Sequence, residues 1–163
     1  MNQIKNGSAA IIFSPGDALL DLFPEELAQV QAFTGEFADL APSVGEPLAA
    51  GLEVTDLKWW ARPGDERVFV LNRAYRVLPG AGRRVLVRFI PAHGYPLEGK
   101  LWDIVLTALV EITIGRGRLW ICGLDLERSV EIDPAARRFA VNLIRAASPE
   151  FSPVKVKQPE SEQ

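Results

Sequence analysis

Residues 115–126 read GRGRLWICGLDL and residues 133–146 read DPAARRFAVNLIRA, and these two stretches decide the fold class. The first is a Gly-x-Gly turn followed by a short apolar run, which is typical of a buried strand. In the second, Asp133 is a good helix N-cap, and Pro134 stands at the first helical position, where its missing N–H costs nothing. A buried strand leading into a capped helix predicts the closing unit of an α/β domain.

The predicted helix has one apolar face. Its spacing predicts that Phe139, Leu143 and Ile144 face a sheet, with Val141 at the border of that face. Three arginines are expected to face water, namely Arg137, Arg138 and Arg145. Packing alone therefore explains the helix, without any catalytic group.

Length and composition set the domain count. A chain of 163 residues with 48% hydrophobic content is long enough for one core. We expect one α/β domain over residues 9–147, between a disordered N-terminus at residues 1–8 and a disordered tail at residues 148–163. Because the net charge is −3 and the basic residues are spread along the chain, we expect no nucleic-acid partner.

No apolar run reaches the roughly 18 residues that cross a bilayer, and no secretory signal is visible. We therefore expect no membrane contact. A cytoplasmic location is the default, since the sequence carries no address signal.

Four further elements follow from local patterns. These are strands at residues 9–13 and 84–90, a helix at residues 24–33 opened by Pro24, and a hairpin joining residues 109–114 to residues 118–126 through residues 115–117. The second strand is expected to be buried on both faces except at Arg88.

The single histidine, His93, lies in a loop that reads PAHGYP. One histidine excludes a zinc site built from several, and a Ser-His or Cys-His pair would have to use it. No Gly-x-Ser-x-Gly or Gly-x-Cys-x-Gly elbow presents a nucleophile. His93 is therefore either a catalytic base or a loop residue making an ordinary hydrogen bond.

Carboxylates cluster after residues 119–122, at Asp125, Glu127, Glu131 and Asp133. They suggest acid–base chemistry or a cation site, although Asp133 is already explained as a cap and the rest fit a solvated loop. The lone Cys122 excludes an internal disulfide and is expected to be a small buried hydrophobe. We predict no metal and no cofactor.

Trp59 and Trp60 have two interpretations. Flat aromatic faces stack on sugar rings, but tryptophans also fill cores and interfaces. Because neighbours in an extended segment point to opposite sides, at most one of the two would face a given ligand. Together with His93 and Tyr95, they are the candidate ligand or interface residues.

Three parts of the chain carry a resemblance: residues 47–60, which include PLAAGL and DLKWW, residues 115–126, and residues 133–143. Together they resemble the carboxyl-terminal half of the glutamine-amidotransferase-like domain of bacterial family 2 glycoside hydrolases, which are beta-galactosidase-like enzymes. In those enzymes the domain is an accessory module. The resemblance extends over roughly residues 9–147.

The resemblance implies a three-layer, flavodoxin-like fold of the class I glutamine-amidotransferase type, and no catalytic activity in the module. A fuller version would have a further βα portion before Ala9, so we expect an N-terminally truncated version ending in a β-hairpin and a helix. The chain departs from the amidotransferase pattern because it lacks a cysteine elbow and a downstream His-x-Glu pair.

The expected function is a non-catalytic accessory or assembly module of carbohydrate metabolism. Its expected partner is a glycosidase chain or a second copy, and carbohydrate is a further candidate. One alternative is a small hydrolase that uses His93 with a carboxylate from residues 125–133, for which Asp125 and Glu127 are the candidates. Another is a protein-interaction domain unrelated to sugars, pairing through an exposed sheet edge.

Overall fold

The computed structural model describes residues 2–13, 18–23, 27–29, 38–42, 47–57, 59–61, 67–69, 75–78, 80–91 and 106–148. These residues form an α/β fold with a mixed sheet. The strands are β1 (Ala9–Phe13), β2 (Leu27–Gln29), β3 (Ala38–Pro42), β4 (Trp59–Ala61), β5 (Arg67–Phe69), β6 (Tyr75–Val77), β7 (Arg83–Pro91), β8 (Leu106–Ile114) and β9 (Gly117–Cys122). The helices are α1 (Asn2–Lys5), α2 (Ala18–Leu22), α3 (Leu126–Ser129) and α4 (Pro134–Ala147), with 3₁₀ turns at Pro47–Ala49 and Val54–Leu57.

Seven strands form the main sheet, and β8 is its centre. β8 pairs antiparallel with β7 and β9, and β6 pairs with the first residues of β8. β2 extends the sheet from β6, and β3 extends it from β7. Of the described strand pairs, only β1–β9 is parallel, while β4 and β5 form a separate two-stranded ribbon. The sheet is therefore mixed.

The β8–β9 hairpin confirms the prediction made from the Gly-x-Gly turn. Ile114 pairs with Gly117, so the loop is the two residues Gly115 and Arg116. Gly115 has a φ of 62°, a conformation that two-residue hairpin loops require and that glycine adopts without strain.

Apolar side chains cover both faces of the sheet. In β9, Trp120 and Cys122 pack on the face beneath α4, which we call the α4 face. Leu119 and Ile121 pack on the opposite face, the α2 face, where Leu19 of α2 joins them. This alternation follows from the two-residue period of a strand, and it explains why β9 is almost entirely apolar.

Helix α4 begins as predicted. The Asp133 carboxylate accepts hydrogen bonds from the backbone N–H groups of Ala135 and Ala136, at 2.8 and 3.0 Å, and Pro134 occupies the first turn. These bonds satisfy N–H groups that have no partner within the helix.

The buried face of α4 differs from the predicted one at a single large residue. Phe139 and Leu143 are fully buried, as expected. Ile144 is 56% exposed and Val141 is 40% exposed, so the prediction that Ile144 faces the sheet is wrong. Each residue turns about 100° around a helix axis, which carries Ile144 away from the line of contact through Leu143.

Residues 2–8, for which we expect disorder, include α1 and contact the β8–β9 hairpin. The N–H groups of Arg116 and Arg118 donate to the carbonyls of Lys5 and Ser8, both at 3.1 Å. Gly117 permits this approach, because a Cβ at that position would collide with backbone carbonyl oxygens of the N-terminal segment.

The predicted helix at residues 24–33 is also wrong, since residues 27–29 form β2. Leu27 pairs with Val77 of β6, a contact between residues far apart in sequence. Such pairing overrides a local preference for helix. The predicted tail after Ser148 lies outside the described residues.

Candidate functional site

The carboxyl ends of the parallel strands β1 and β9 are the expected position of a ligand site. In open α/β sheets, ligands bind beyond the carboxyl ends of parallel strands. β1 and β9 end side by side, at Phe13 and Cys122, which are register partners. Gly123, Leu124 and Asp125 follow β9 directly and lead into α3.

Cys122 is the first chemically notable group at this strand end. It is fully buried, which confirms the expected packing role. Burial raises the pKa of its thiol from the ordinary value of 9.0 to about 12, against a smaller lowering by a hydrogen bond with the Leu124 backbone. Because the thiolate and not the thiol is the nucleophile, the burial and the raised pKa of Cys122 both disfavour its reaction at neutral pH.

The carboxylates that follow β9 do not converge on one point. Asp125 is 4% exposed and precedes α3, whereas Glu127 and Glu131 are exposed. Asp133 is engaged as the cap of α4. Within the described part of the chain, no group of three or more potential metal ligands is found. Asp125 and Glu127, the two candidate partners of His93, therefore differ in exposure.

Ser129 ends α3 and is fully buried. Its Oγ has no hydrogen-bond partner among the described residues. A serine nucleophile needs an adjacent base, and the only histidine of the chain, His93, lies outside the described residues together with Tyr95.

The two tryptophans of β4 have different outcomes. Trp60 is fully buried, and its indole N–H donates to the Asp56 carbonyl at 2.9 Å. Trp60 therefore fills the core, which is one of the two interpretations that the sequence allows. A fully buried side chain cannot stack on a ligand. The side chain of Trp59 lies outside the described part of the structure.

A charged cluster that sequence reasoning missed lies on the sheet near the hairpin. Glu111, at the centre of β8, is 8% exposed. Its carboxylate lies 3.3 Å from Nε of Arg84 on β7 and 3.6 Å from a guanidinium nitrogen of Arg118 on β9. Within the described part of the chain, Glu111 Oε2 accepts no hydrogen bond, and Nε1 of its cross-strand partner Trp120 donates none.

This cluster contains one carboxylate and two arginines. Glycoside hydrolysis uses two carboxyl groups on opposite sides of the scissile bond, and the cluster does not supply them. A lone Glu in the apolar run LTALVEITI was the available sequence signal. Its partners depend on strand register, which local patterns do not reveal.

Asn142, which sequence reasoning also missed, joins α4 to the segment at residues 47–50. Its side-chain amide donates to the carbonyls of Leu48 and Ala50, both at 2.9 Å. Because these carbonyls belong to the Pro47–Ala49 turn and its end, Asn142 fixes that segment against the helix.

No protein-family model matches the sequence, and no curated protein matches it. Among the described residues, no helix is long and apolar enough to cross a membrane.

Proposed function

We propose that the protein is a non-catalytic accessory or assembly module related to bacterial family 2 glycoside hydrolases. The observation that carries this proposal is the burial of Cys122 at the end of β9. The only thiol of the chain is sealed in the core and protonated, so it offers no nucleophile of the glutamine-amidotransferase kind. Asp125, the carboxylate nearest to Cys122 in the sequence, is also buried.

The proposed relationship to the glycosidase module rests on three motifs, at residues 47–60, 115–126 and 133–143. Their packing in one core supports this proposal. Leu48 and Trp60 from the first motif, Trp120 from the second and Phe139 from the third belong to one buried cluster. Asn142 adds direct hydrogen bonds between the first and third motifs.

A three-layer arrangement of the flavodoxin-like, amidotransferase-type class is part of the proposal. The parallel β1–β9 pair, the helix α4 that follows it, and apolar packing on both sheet faces support this class. The antiparallel pairs around β8 are a departure from an all-parallel doubly wound sheet.

The competing hydrolase hypothesis uses His93 with Asp125 or Glu127. Asp125 is buried and Glu127 is exposed, so Glu127 is the one of these two carboxylates that a substrate would reach.

An activity panel tests the proposal. The purified chain is incubated with chromogenic glycosides and with glutamine, beside an active glycosidase and an active glutaminase as positive controls. We expect product at the level of the blank. Turnover that persists through purification and disappears in His93→Ala would overturn the proposal and favour the hydrolase.

A further inference from the structure

The dipeptide Asn6–Gly7 follows α1, and both of its residues are exposed. In an Asn-Gly pair, the backbone nitrogen of the glycine can attack the side-chain carbonyl carbon of the asparagine, because glycine has no Cβ to obstruct the approach. The other asparagines of the sequence precede larger residues, at Asn2–Gln3, Asn72–Arg73 and Asn142–Leu143. Asn6 is therefore the asparagine whose neighbour favours this reaction.

The surroundings of Gly7 leave room for the attack. A Cβ at this position would meet no atom within 4 Å, so the space beside its Cα is open. Gly7 has a φ of 114°, which glycine adopts without the strain that a side chain would bring. Because Asn6 is exposed as well, water reaches its side-chain amide.

A hydrogen bond at the end of α1 opposes the attack. The Gly7 N–H donates to the Ile4 carbonyl at 2.9 Å, and the Ser8 N–H donates to the Gln3 carbonyl at 3.2 Å. These two bonds close α1 in the manner of a Schellman motif, with glycine at the position of positive φ. Since α1 has four residues and none of them is buried, this end opens more readily than the sheet. Each opening frees the Gly7 nitrogen.

We propose that Asn6 is a site of spontaneous deamidation in the folded protein, and that isoaspartate formed there detaches α1 from the β8–β9 hairpin. The Gly7 nitrogen bonds to Cγ of Asn6 while the bond from Cγ to Nδ2 breaks. The proton of the Gly7 nitrogen leaves with the amide nitrogen as ammonia, and a cyclic succinimide remains. Water then opens the ring, at the side-chain carbonyl to give aspartate or at the main-chain carbonyl to give isoaspartate. The proposal is independent of any relationship to glycosidases.

The hairpin holds the main chain on both sides of this dipeptide. The Lys5 carbonyl accepts a hydrogen bond from the Arg116 N–H at 3.1 Å. The Ser8 carbonyl accepts one from the Arg118 N–H, also at 3.1 Å. In isoaspartate the main chain runs through Cβ and Cγ of residue 6, which adds one atom between the two accepting carbonyls. The two N–H groups of the hairpin keep their spacing, so the lengthened segment no longer matches it.

Close packing prevents the extra atom from being absorbed toward the hairpin. Gly117 lies directly against the carbonyl oxygens of Ile4 and Ser8, where even a Cβ would collide. The lengthened segment therefore has to move outward, and we expect at least one of its two hydrogen bonds to the hairpin to be lost.

Peptide mapping by mass spectrometry locates the modification in the purified native chain after storage at pH 7.5. We expect residue 6 to show the mass gain of an amide converted to a carboxylate, in two products that chromatography separates. Asn2 is the matched control in the same chain, since it is exposed in α1 but precedes Gln3. Asn6 should react about tenfold faster than Asn2 or more. Equal rates at the two asparagines, or no mass gain at residue 6, would overturn the proposal.

Amide hydrogen exchange followed by NMR tests the detachment of α1. The isoaspartyl form, separated from the fresh chain, should lose protection at the N–H of Arg116, of Arg118 or of both. Asn6→Asp carries the same charge on an ordinary main chain and should keep both protected. Asn6→Gln, stored in parallel, should also keep them, because glutamine has to close a larger ring. Full protection in the isoaspartyl form, or equal loss in Asn6→Asp, would contradict the proposed effect of the lengthened main chain.

Discussion

Replacing two neighbouring residues of α4 by alanine separates the buried face from the exposed one. Leu143 is fully buried in the cluster beneath the helix, and Ile144 is 56% exposed. Truncating a fully buried leucine to alanine removes transfer free energy and leaves a cavity, together worth about 2–5 kcal/mol. Truncating Ile144 removes much less buried surface, and the better helix propensity of alanine offsets part of the loss, so its cost should stay below about 1 kcal/mol.

Thermal unfolding followed by circular dichroism measures both variants. For a domain of this size, 1 kcal/mol shifts the Tm by about 2–4 °C, so Leu143→Ala should lower the Tm on the order of 10 °C. Ile144→Ala should lie within about 3 °C of the native chain by the same conversion. Equal shifts, or a larger shift at Ile144, would show that the orientation of α4 is wrong.

Three further substitutions test other contacts. Asp133→Ala should cost about 1 kcal/mol in urea unfolding, because two N–H groups lose their acceptor, and no loss would mean that water caps the helix equally well. Asn142→Leu should cost about 1–3 kcal/mol by leaving the carbonyls of Leu48 and Ala50 without a donor, whereas an unchanged urea midpoint would remove this contact from the account. The raised pKa of Cys122 means that the thiol ionises at a lower pH in the unfolded chain than in the folded one. The free energy of unfolding that this difference contributes is fully present below pH 9 and is lost as the pH rises toward about 12. The unfolding free energy of the native chain should therefore fall more steeply over that window than that of Cys122→Ala, by at most about 1.4 kcal/mol per pH unit, and parallel slopes would contradict the burial of the thiol.

Local signals in the sequence predicted the closing unit of the fold well. Asp133 and Pro134 mark the start of α4 because capping and fixed φ act within one turn. Gly115 marks the hairpin because its positive φ is a property of the turn itself. Cys122 was predicted to be buried, since an uninterrupted apolar run has to be covered on both faces.

Features that depend on distant partners were not predictable in this way. Leu27 lies in a strand because it pairs with β6. The end of α1 is hydrogen-bonded to the β8–β9 hairpin, about 110 residues later in the sequence. Local patterns do not reveal contacts at such separations. Glu111 looked like an isolated charge until the register placed Arg84 and Arg118 on either side. The exposure of Ile144 depends on the direction from which the sheet meets the helix, which periodicity gives only approximately.

The reactivity of Cys122 tests the central proposal most directly, namely that this thiol, the only one in the sequence, is not a working nucleophile at the end of β9. The native chain is treated with iodoacetamide at pH 7.5, and labelling is followed by mass spectrometry, with the urea-unfolded chain as the fully reactive control. Because the thiol is buried and its pKa is raised to about 12, native labelling should proceed only as fast as the protein opens, far more slowly than in urea. Labelling of the folded chain as fast as that of the unfolded one would show an accessible thiolate and contradict the proposal of a non-catalytic module.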